Sequence, residues 1–65
     1  MKSYSPKEVM KILEENGWKL KNIKGDHYIY KKTGMMYEVV IPFSRNDVRI
    51  GIIKDIERKS GIKFR

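Results

Sequence analysis

Residues 18–42, WKLKNIKGDHYIYKKTGMMYEVVIP, decide the fold, because apolar and polar side chains alternate there between short turn signals. Alternation with a period of two is typical of half-buried β-strands, and glycine-containing clusters mark the turns between them. The pattern predicts strands over 18–21, 27–31 and 35–41, with turns at Lys24-Gly25-Asp26 and Thr33-Gly34 and an end at Pro42. The segment therefore predicts a three-stranded antiparallel meander.

A helix is predicted before the meander. Ser5 is a suitable N-cap residue, Pro6 fits the first helical position, and Glu8 completes a capping box with Ser5. After Asn16, Gly17 can adopt the left-handed conformation that ends a helix. These signals predict a helix over 6–16.

A second helix is predicted after the meander. It starts near Asp47 and ends at Ser60, with Gly61 as its C-terminal cap. Its inward stripe is Ile52, Ile53 and Ile56.

These elements predict an α+β fold of order α-β-β-β-α. Both helices should cover one face of the three-stranded sheet and leave the other face open. Side-chain parity points Trp18, Leu20, Tyr37, Val39 and Ile41 inward, and Lys19, Lys21, Glu38 and Val40 outward. We expect Tyr30 in the core, which would put His27 on the open side near the turn.

Length and composition limit the classes of function. Sixty-five residues are enough for one domain over 1–65, with a small core and no deep catalytic cleft. With no cysteine and one histidine, disulfides and thiolate or histidine-rich metal sites are excluded, and we expect no cofactor. A net charge of +7 suits a polyanionic partner such as nucleic acid, although lysines can also form a merely solvated surface.

Hydrophobicity predicts a soluble, cytoplasmic protein. The N-terminal residues have no apolar core like that of a secretory signal. The longest apolar run, 39–43, is far shorter than the roughly 20 residues that span a bilayer.

His27 is the residue best suited to proton transfer, because its unperturbed pKa lies near neutral pH. RNA cleaves itself when its 2′-hydroxyl is deprotonated and attacks the adjacent phosphate. One imidazole with nearby ammonium groups can support that reaction. Taken alone, however, a single histidine at the start of a strand is more often an ordinary surface residue. Asp26 could raise the pKa of His27, or it could be only a turn residue.

Basic residues surround the predicted histidine position. The candidate RNA-binding set is Lys19, Lys21, Lys24, Lys31 and Lys32 around the sheet, with Arg45 and Arg49 at the start of the second helix. The positive end of that helix would help to hold a phosphate. Tyr28 could stack on an unpaired base, although an aromatic residue in a strand is more often part of the core.

The order of several short motifs resembles a known family. The motifs are Asn16-Gly17-Trp18, the run from Lys24 to Tyr30, Ile41-Pro42, the run from Gly51 to Ile56, and Gly61-Ile62. Together they resemble the HicA (YcfA-like) family of toxins from prokaryotic toxin–antitoxin pairs. The likeness covers nearly the whole chain in the right order, although Gly-x-His is a weak motif by itself.

The resemblance implies a fold like that of double-stranded-RNA-binding domains. It also implies a metal-independent endoribonuclease that cuts messenger RNA, halts translation and uses the family's catalytic histidine, which falls on His27. A HicB-like antitoxin would neutralise it by covering that histidine. We expect the free toxin to be a monomer or a weak dimer.

Two positions depart from the family pattern. Asp26 stands where the family most often has serine, and its charge could repel phosphate or tune His27. Phe43-Ser44 stands where many members have a histidine after the proline. The alternative hypotheses are therefore a non-catalytic RNA- or DNA-binding module of the same fold and a module that docks an acidic protein.

Overall fold

The computed structural model describes residues 3–44 and 46–64. Its elements are α1 (Pro6–Glu15), β1 (Lys19–Lys24), β2 (His27–Lys31), β3 (Val39–Pro42) and α2 (Ile50–Ser60). The strands form one antiparallel sheet in the order β1-β2-β3. The predicted α+β class and the order α-β-β-β-α are confirmed.

The capping box predicted for α1 is present. The Ser5 hydroxyl accepts a hydrogen bond from the Glu8 backbone N–H at 3.2 Å, and the Ser5 N–H donates to the Glu8 carboxylate at 3.0 Å. The helix ends at Glu15, and Asn16 is its C-cap rather than its last residue. The next residue, Gly17, has a φ of +89°, a conformation that side chains with a Cβ rarely adopt.

Both helices contact β3, which has one buried and one open face. Val39 and Ile41 are 0% exposed, whereas Val40 between them is 40% exposed. Cross-strand partners share a face, so Tyr30, opposite Val39, faces the helices, and Ile29, opposite Val40, faces away from them. The sheet therefore has one face under the helices and one open face, as predicted.

The core lies between the helices and the covered sheet face. Its buried apolar side chains are Tyr4, Val9, Leu13, Trp18, Tyr30, Val39, Ile41, Val48, Ile53, Ile56 and Phe64. The predictions for Trp18, Val39, Ile41 and Tyr30 are therefore confirmed. In the described parts of the chain, neither helix combines the length and the apolar character needed to cross a membrane.

The predicted burial of Leu20 and Tyr37 is wrong, since they are 44% and 51% exposed. Leu20 pairs with Tyr30 and so has the predicted orientation, but β1 is an edge strand, outside the cover that both helices give to β3. Tyr37 precedes β3, which begins at Val39, so strand parity does not govern its direction.

Three element boundaries also differ from the prediction. β1 continues through Lys24, so only Gly25 and Asp26 form the turn to β2. β3 begins at Val39 instead of residue 35. α2 begins at Ile50 rather than near Asp47, because Val48 is buried and its N–H donates to the Tyr4 carbonyl at 2.7 Å in an isolated β-bridge.

A β-bulge interrupts the pairing of β1 with β2. Leu20 pairs with Tyr30 and Asn22 pairs with Ile29, which leaves Lys21 as an extra residue on β1. Beyond the bulge, Ile23 shares the covered face with Tyr28, and Lys24 shares the open face with His27.

Candidate nucleic-acid interface

His27 begins β2 and lies at one end of the open face. Its Cα partners are Lys24 on β1 and Pro42 on β3, and its side chain is exposed. Because side chains alternate along a strand, the burial of Tyr30 directs His27 to the open side together with Ile29. We name Lys24, His27 and Pro42 the histidine row. A ligand on the open face can reach this imidazole.

Asp26 is held next to His27 by its backbone rather than by its carboxylate. The Asp26 carbonyl accepts a hydrogen bond from the Phe43 N–H at 2.6 Å, which continues the ladder one step beyond the histidine row. The Asp26 residue itself is exposed. Among residues 3–44 and 46–64, no salt bridge joins the Asp26 carboxylate to the His27 ring.

The first turns of both helices lie near the end of β3 that carries the histidine row. The bridge between Tyr4 and Val48 joins the two segments that lead into α1 and α2. One cavity is lined by the first turn of α1 and by Phe43 and Ser44. A neighbouring cavity is lined by Pro42, Ser44 and the residues that enter α2. The N-terminus of α1 is already capped by Ser5 and the Glu8 carboxylate, whereas that of α2 has no side-chain cap, so its partial positive charge makes this end of the sheet suit anions.

The predicted basic residues do not gather at one place. Lys24 lies in the histidine row, and Arg49 is exposed just before α2. Lys19 and Lys31 pair with each other at the other end of the open face. Lys21 occupies the bulge, and Lys32 is half-buried against Gly17. Arg45 lies outside the described residues. We name Lys19 and Lys31 the distal row. At about 3.4 Å per residue, it lies roughly 14 Å from the histidine row.

Glu38 introduces a negative charge near the distal row. Its carboxylate is hydrogen-bonded and ion-paired to Lys21. That hydrogen bond, with smaller contributions from the positive charges of Lys21, Lys31 and Lys24, lowers the pKa of Glu38. The sequence pattern predicted an outward direction for Glu38, which lies before β3, but no role for it. In the structure it partly neutralises one of the predicted RNA-binding lysines.

Tyr28 does not stand on the open face with His27. It is half-buried on the covered face, and its ring packs against Phe43 with centroids 5.1 Å apart and planes tilted by 31°. Phe43 in turn lines a cavity of about 480 Å³ with Ser5, Pro6, Lys7 and Ser44. Sequence reasoning missed this cavity. The only local signal was an aromatic residue directly after the strand-ending proline.

Tyr30 ties α1 to the strand that carries His27. Its hydroxyl donates a hydrogen bond to the Glu14 carboxylate at 3.2 Å. Burial, and then the hydrogen bond and charge of Glu14, raise the pKa of Tyr30 to about 12. The phenol therefore stays neutral near pH 7 and acts as a structural donor on the covered face of β2.

The comparisons with known proteins agree with this architecture. The family model described as HicA toxin of bacterial toxin–antitoxin matches residues 6–62, which span both helices and all three strands. No protein with a curated description matches the chain. Within the described residues, no three His, Asp or Glu side chains are grouped as metal ligands would be.

Proposed function

The chain belongs to the HicA family of toxins of bacterial toxin–antitoxin systems, and we propose that it is an endoribonuclease that cleaves messenger RNA through His27. The observation that carries the proposal is the position of that imidazole. It is exposed on the open face, and Lys24 is its paired neighbour. We propose that the toxin acts in the cytoplasm, where messenger RNA is translated.

The proposed reaction uses the substrate's own 2′-hydroxyl as the nucleophile. The hydroxyl loses its proton, the 2′-oxygen bonds to phosphorus, and the bond from phosphorus to the 5′-oxygen breaks. The leaving oxygen takes up a proton, which gives a 2′,3′-cyclic phosphate and a 5′-hydroxyl. His27 transfers one of these protons, because an imidazole can accept a proton in its neutral form and donate one in its charged form.

Lys24 is the residue proposed to hold the reacting phosphate. It is exposed and shares the open face with its cross-strand partner His27. An ammonium group at this position stabilises the negative charge that grows on the phosphate oxygens during attack. The N-terminus of α2 has no side-chain cap and no acidic residue in its first turn, and it lies near the same end of the sheet, where its partial positive charge adds to this effect.

Membership of the family implies a cognate antitoxin. We propose that this partner is a HicB-like protein that covers His27 on the open face. An acidic surface would suit a toxin with a net charge of +7.

The proposal is tested with His27→Ala and His27→Gln. General acid–base catalysis contributes about 10²- to 10⁴-fold to a rate, so both variants should lose RNA cleavage by at least about 100-fold. Thr33→Ala, at an exposed position in the loop before β3, is the matched control and should cleave like the parent. Circular dichroism and thermal melting should show that all variants fold. Growth arrest on expression should follow the cleavage rates.

A second histidine sharpens this test. Lys31→His, added to His27→Ala, puts an imidazole on the same sheet face but in the distal row. It should not restore cleavage, because proton transfer needs the imidazole within hydrogen-bond reach of the reacting group. Cleavage by His27→Ala at the parent rate would contradict the proposed mechanism.

The second candidate function is a non-catalytic RNA- or DNA-binding module. The observation in its favour is the spread of lysines over both rows of the open face, which suits contact with a nucleic-acid backbone without chemistry. It predicts gel-shift binding that weakens steeply with salt and no cleavage products from single-stranded RNA.

A further inference from the structure

The cavity beside Phe43 has the size and the walls of a small-molecule subsite. It measures about 480 Å³, within the usual range for pockets that bind a compact ligand. Phe43 and Pro6 supply apolar surface, Ser5 and Ser44 supply hydroxyl groups, and Lys7 supplies a positive charge. This combination suits a flat, polar-edged, aromatic group attached to a phosphate.

Phe43 is held in a fixed position rather than free in a loop. Its ring packs on Tyr28 at 5.1 Å, and its backbone N–H donates to the Asp26 carbonyl at 2.6 Å. The ring is half-buried, so part of it remains accessible from the cavity side. A pre-positioned aromatic face is what proteins use to stack an unpaired base.

The cavity is also close to the proposed catalytic group. Pro42 is the Cα partner of His27, and Phe43 is the next residue along the chain. Paired Cα atoms lie about 5 Å apart and consecutive ones about 3.8 Å apart, so His27 and Phe43 have backbones within roughly 9 Å of each other. His27 projects from the open face and Phe43 packs on Tyr28 of the covered face, so an RNA strand reaches both by turning around the end of β3, with a phosphate at His27 and an adjacent base in this cavity.

We infer that this cavity binds the unpaired base of a nucleotide adjacent to the cleaved phosphate, with the base stacked on Phe43 and its phosphate near Lys7. The inference rests on the proposed endoribonuclease function and deepens it. It makes single-stranded RNA the substrate class, because a base held in a helical stack cannot enter the cavity. Phe43 is then a specificity-determining residue.

The test measures binding separately from cleavage. A six-nucleotide RNA carrying 2′-O-methyl groups has no free nucleophile, so the unaltered protein can be titrated with it whether or not it is a nuclease. We expect NMR shifts of the Phe43 and Tyr28 ring protons with the single strand. The same RNA annealed to its complement should leave these ring protons unshifted.

Three variants test whether the ring of Phe43 is responsible for the binding of single-stranded RNA. Phe43→Leu keeps an apolar side chain against Tyr28 but removes the ring, and should weaken single-strand binding about tenfold. Phe43→Tyr restores a ring and should bind like the parent. Tyr37→Ala, which removes a half-exposed aromatic residue before β3, is the matched control and should not change binding.

Each outcome separates this inference from the proposed function. Cleavage of unmodified RNA by the parent, together with unchanged binding and cleavage positions in Phe43→Leu, would overturn the base-binding cavity and leave the nuclease standing. Ring shifts with the methylated RNA but no cleavage of unmodified RNA would support binding of an unpaired base in the cavity, but would reject the nuclease and with it the placement of that base beside a cleaved phosphate. Ring shifts caused by an acidic peptide but not by RNA would make the cavity a protein-docking site and overturn the inference.

Discussion

The two ends of the open sheet face carry lysines in similar positions, but their surroundings differ. In the distal row, Lys19 and Lys31 are paired across the strands, and nearby Glu38 is ion-paired to Lys21. In the histidine row, Lys24 is paired with His27. The helix starts and the Phe43 cavity also lie toward the histidine row. Positive charge alone therefore does not distinguish the two ends, whereas an exposed imidazole and a neighbouring cavity do.

The comparison predicts unequal effects for the lysines of the two rows, and the larger effect is at Lys24. Lys24→Ala should lower kcat/KM for RNA cleavage by about tenfold, since it removes a charged donor beside the reacting phosphate. Lys31→Ala should lower it only about twofold, through KM, because a charge farther away than the Debye length of about 8 Å is screened. Steady-state cleavage of a fluorescent RNA at a fixed salt concentration measures kcat/KM for both variants. Equal losses would mean that the rows share one function.

A smaller effect is expected at Asp26, where the family most often has serine. Asp26→Ser should raise kcat/KM about threefold at low salt, because it removes a negative charge that repels phosphate. The gain should shrink as salt is added. No salt bridge links Asp26 to His27 in the described chain, which is why repulsion is expected to dominate. A loss of rate with a shifted pH profile would instead mean that Asp26 tunes His27.

The smallest effect is expected at Glu38. Glu38→Gln frees Lys21, so RNA binding should tighten less than twofold, with a salt dependence steeper by about 0.7 in log–log slope for one added phosphate contact. Gel shifts over a salt series measure this slope. An unchanged slope would show that Lys21 does not contact RNA in either protein.

The ion pair between Glu38 and Lys21 predicts that the stability of the fold depends on pH. The pKa of Glu38 is lowered in the fold by its hydrogen bond with Lys21. The contribution of the Glu38 carboxylate to the free energy of unfolding is therefore present above its unfolded pKa of about 4.3, and it is lost as the pH falls through the lower pKa of the folded state. Thermal melts from pH 7 to pH 3 should show this loss in the parent and not in Glu38→Gln.

Local signals predicted much of the fold because they act over a few residues. Ser5, Pro6 and Glu8 satisfy backbone groups within one turn, and the structure contains the capping box that they predict. Gly61 ends α2 with a φ of +77°, as its position after Ser60 indicated. The exposure of His27 followed from parity once Tyr30 was assigned to the core.

The errors came from contacts between distant parts of the chain. α2 begins late because Val48 pairs with Tyr4, and no pattern near residue 47 reveals that pairing. Leu20 is exposed because the helices cover β3 rather than β1, and the strand pattern does not show where the helices dock. The Phe43 cavity was missed for the same reason, since its walls come from two segments far apart in sequence.

The β-bulge at Lys21 decides which side chain stands beside the imidazole. The residue numbers of paired positions add up to 50 as far as Leu20 and to 51 beyond the bulge. If Lys21 were instead paired in a regular ladder, counting along β1 would put Ile23 opposite His27 and leave Lys24 in the loop. A one-residue slip of an edge strand would thus exchange the ammonium at the site for the sec-butyl group of an isoleucine without any change in the sequence, whereas deletion of the Lys21 codon would keep Lys24 in place.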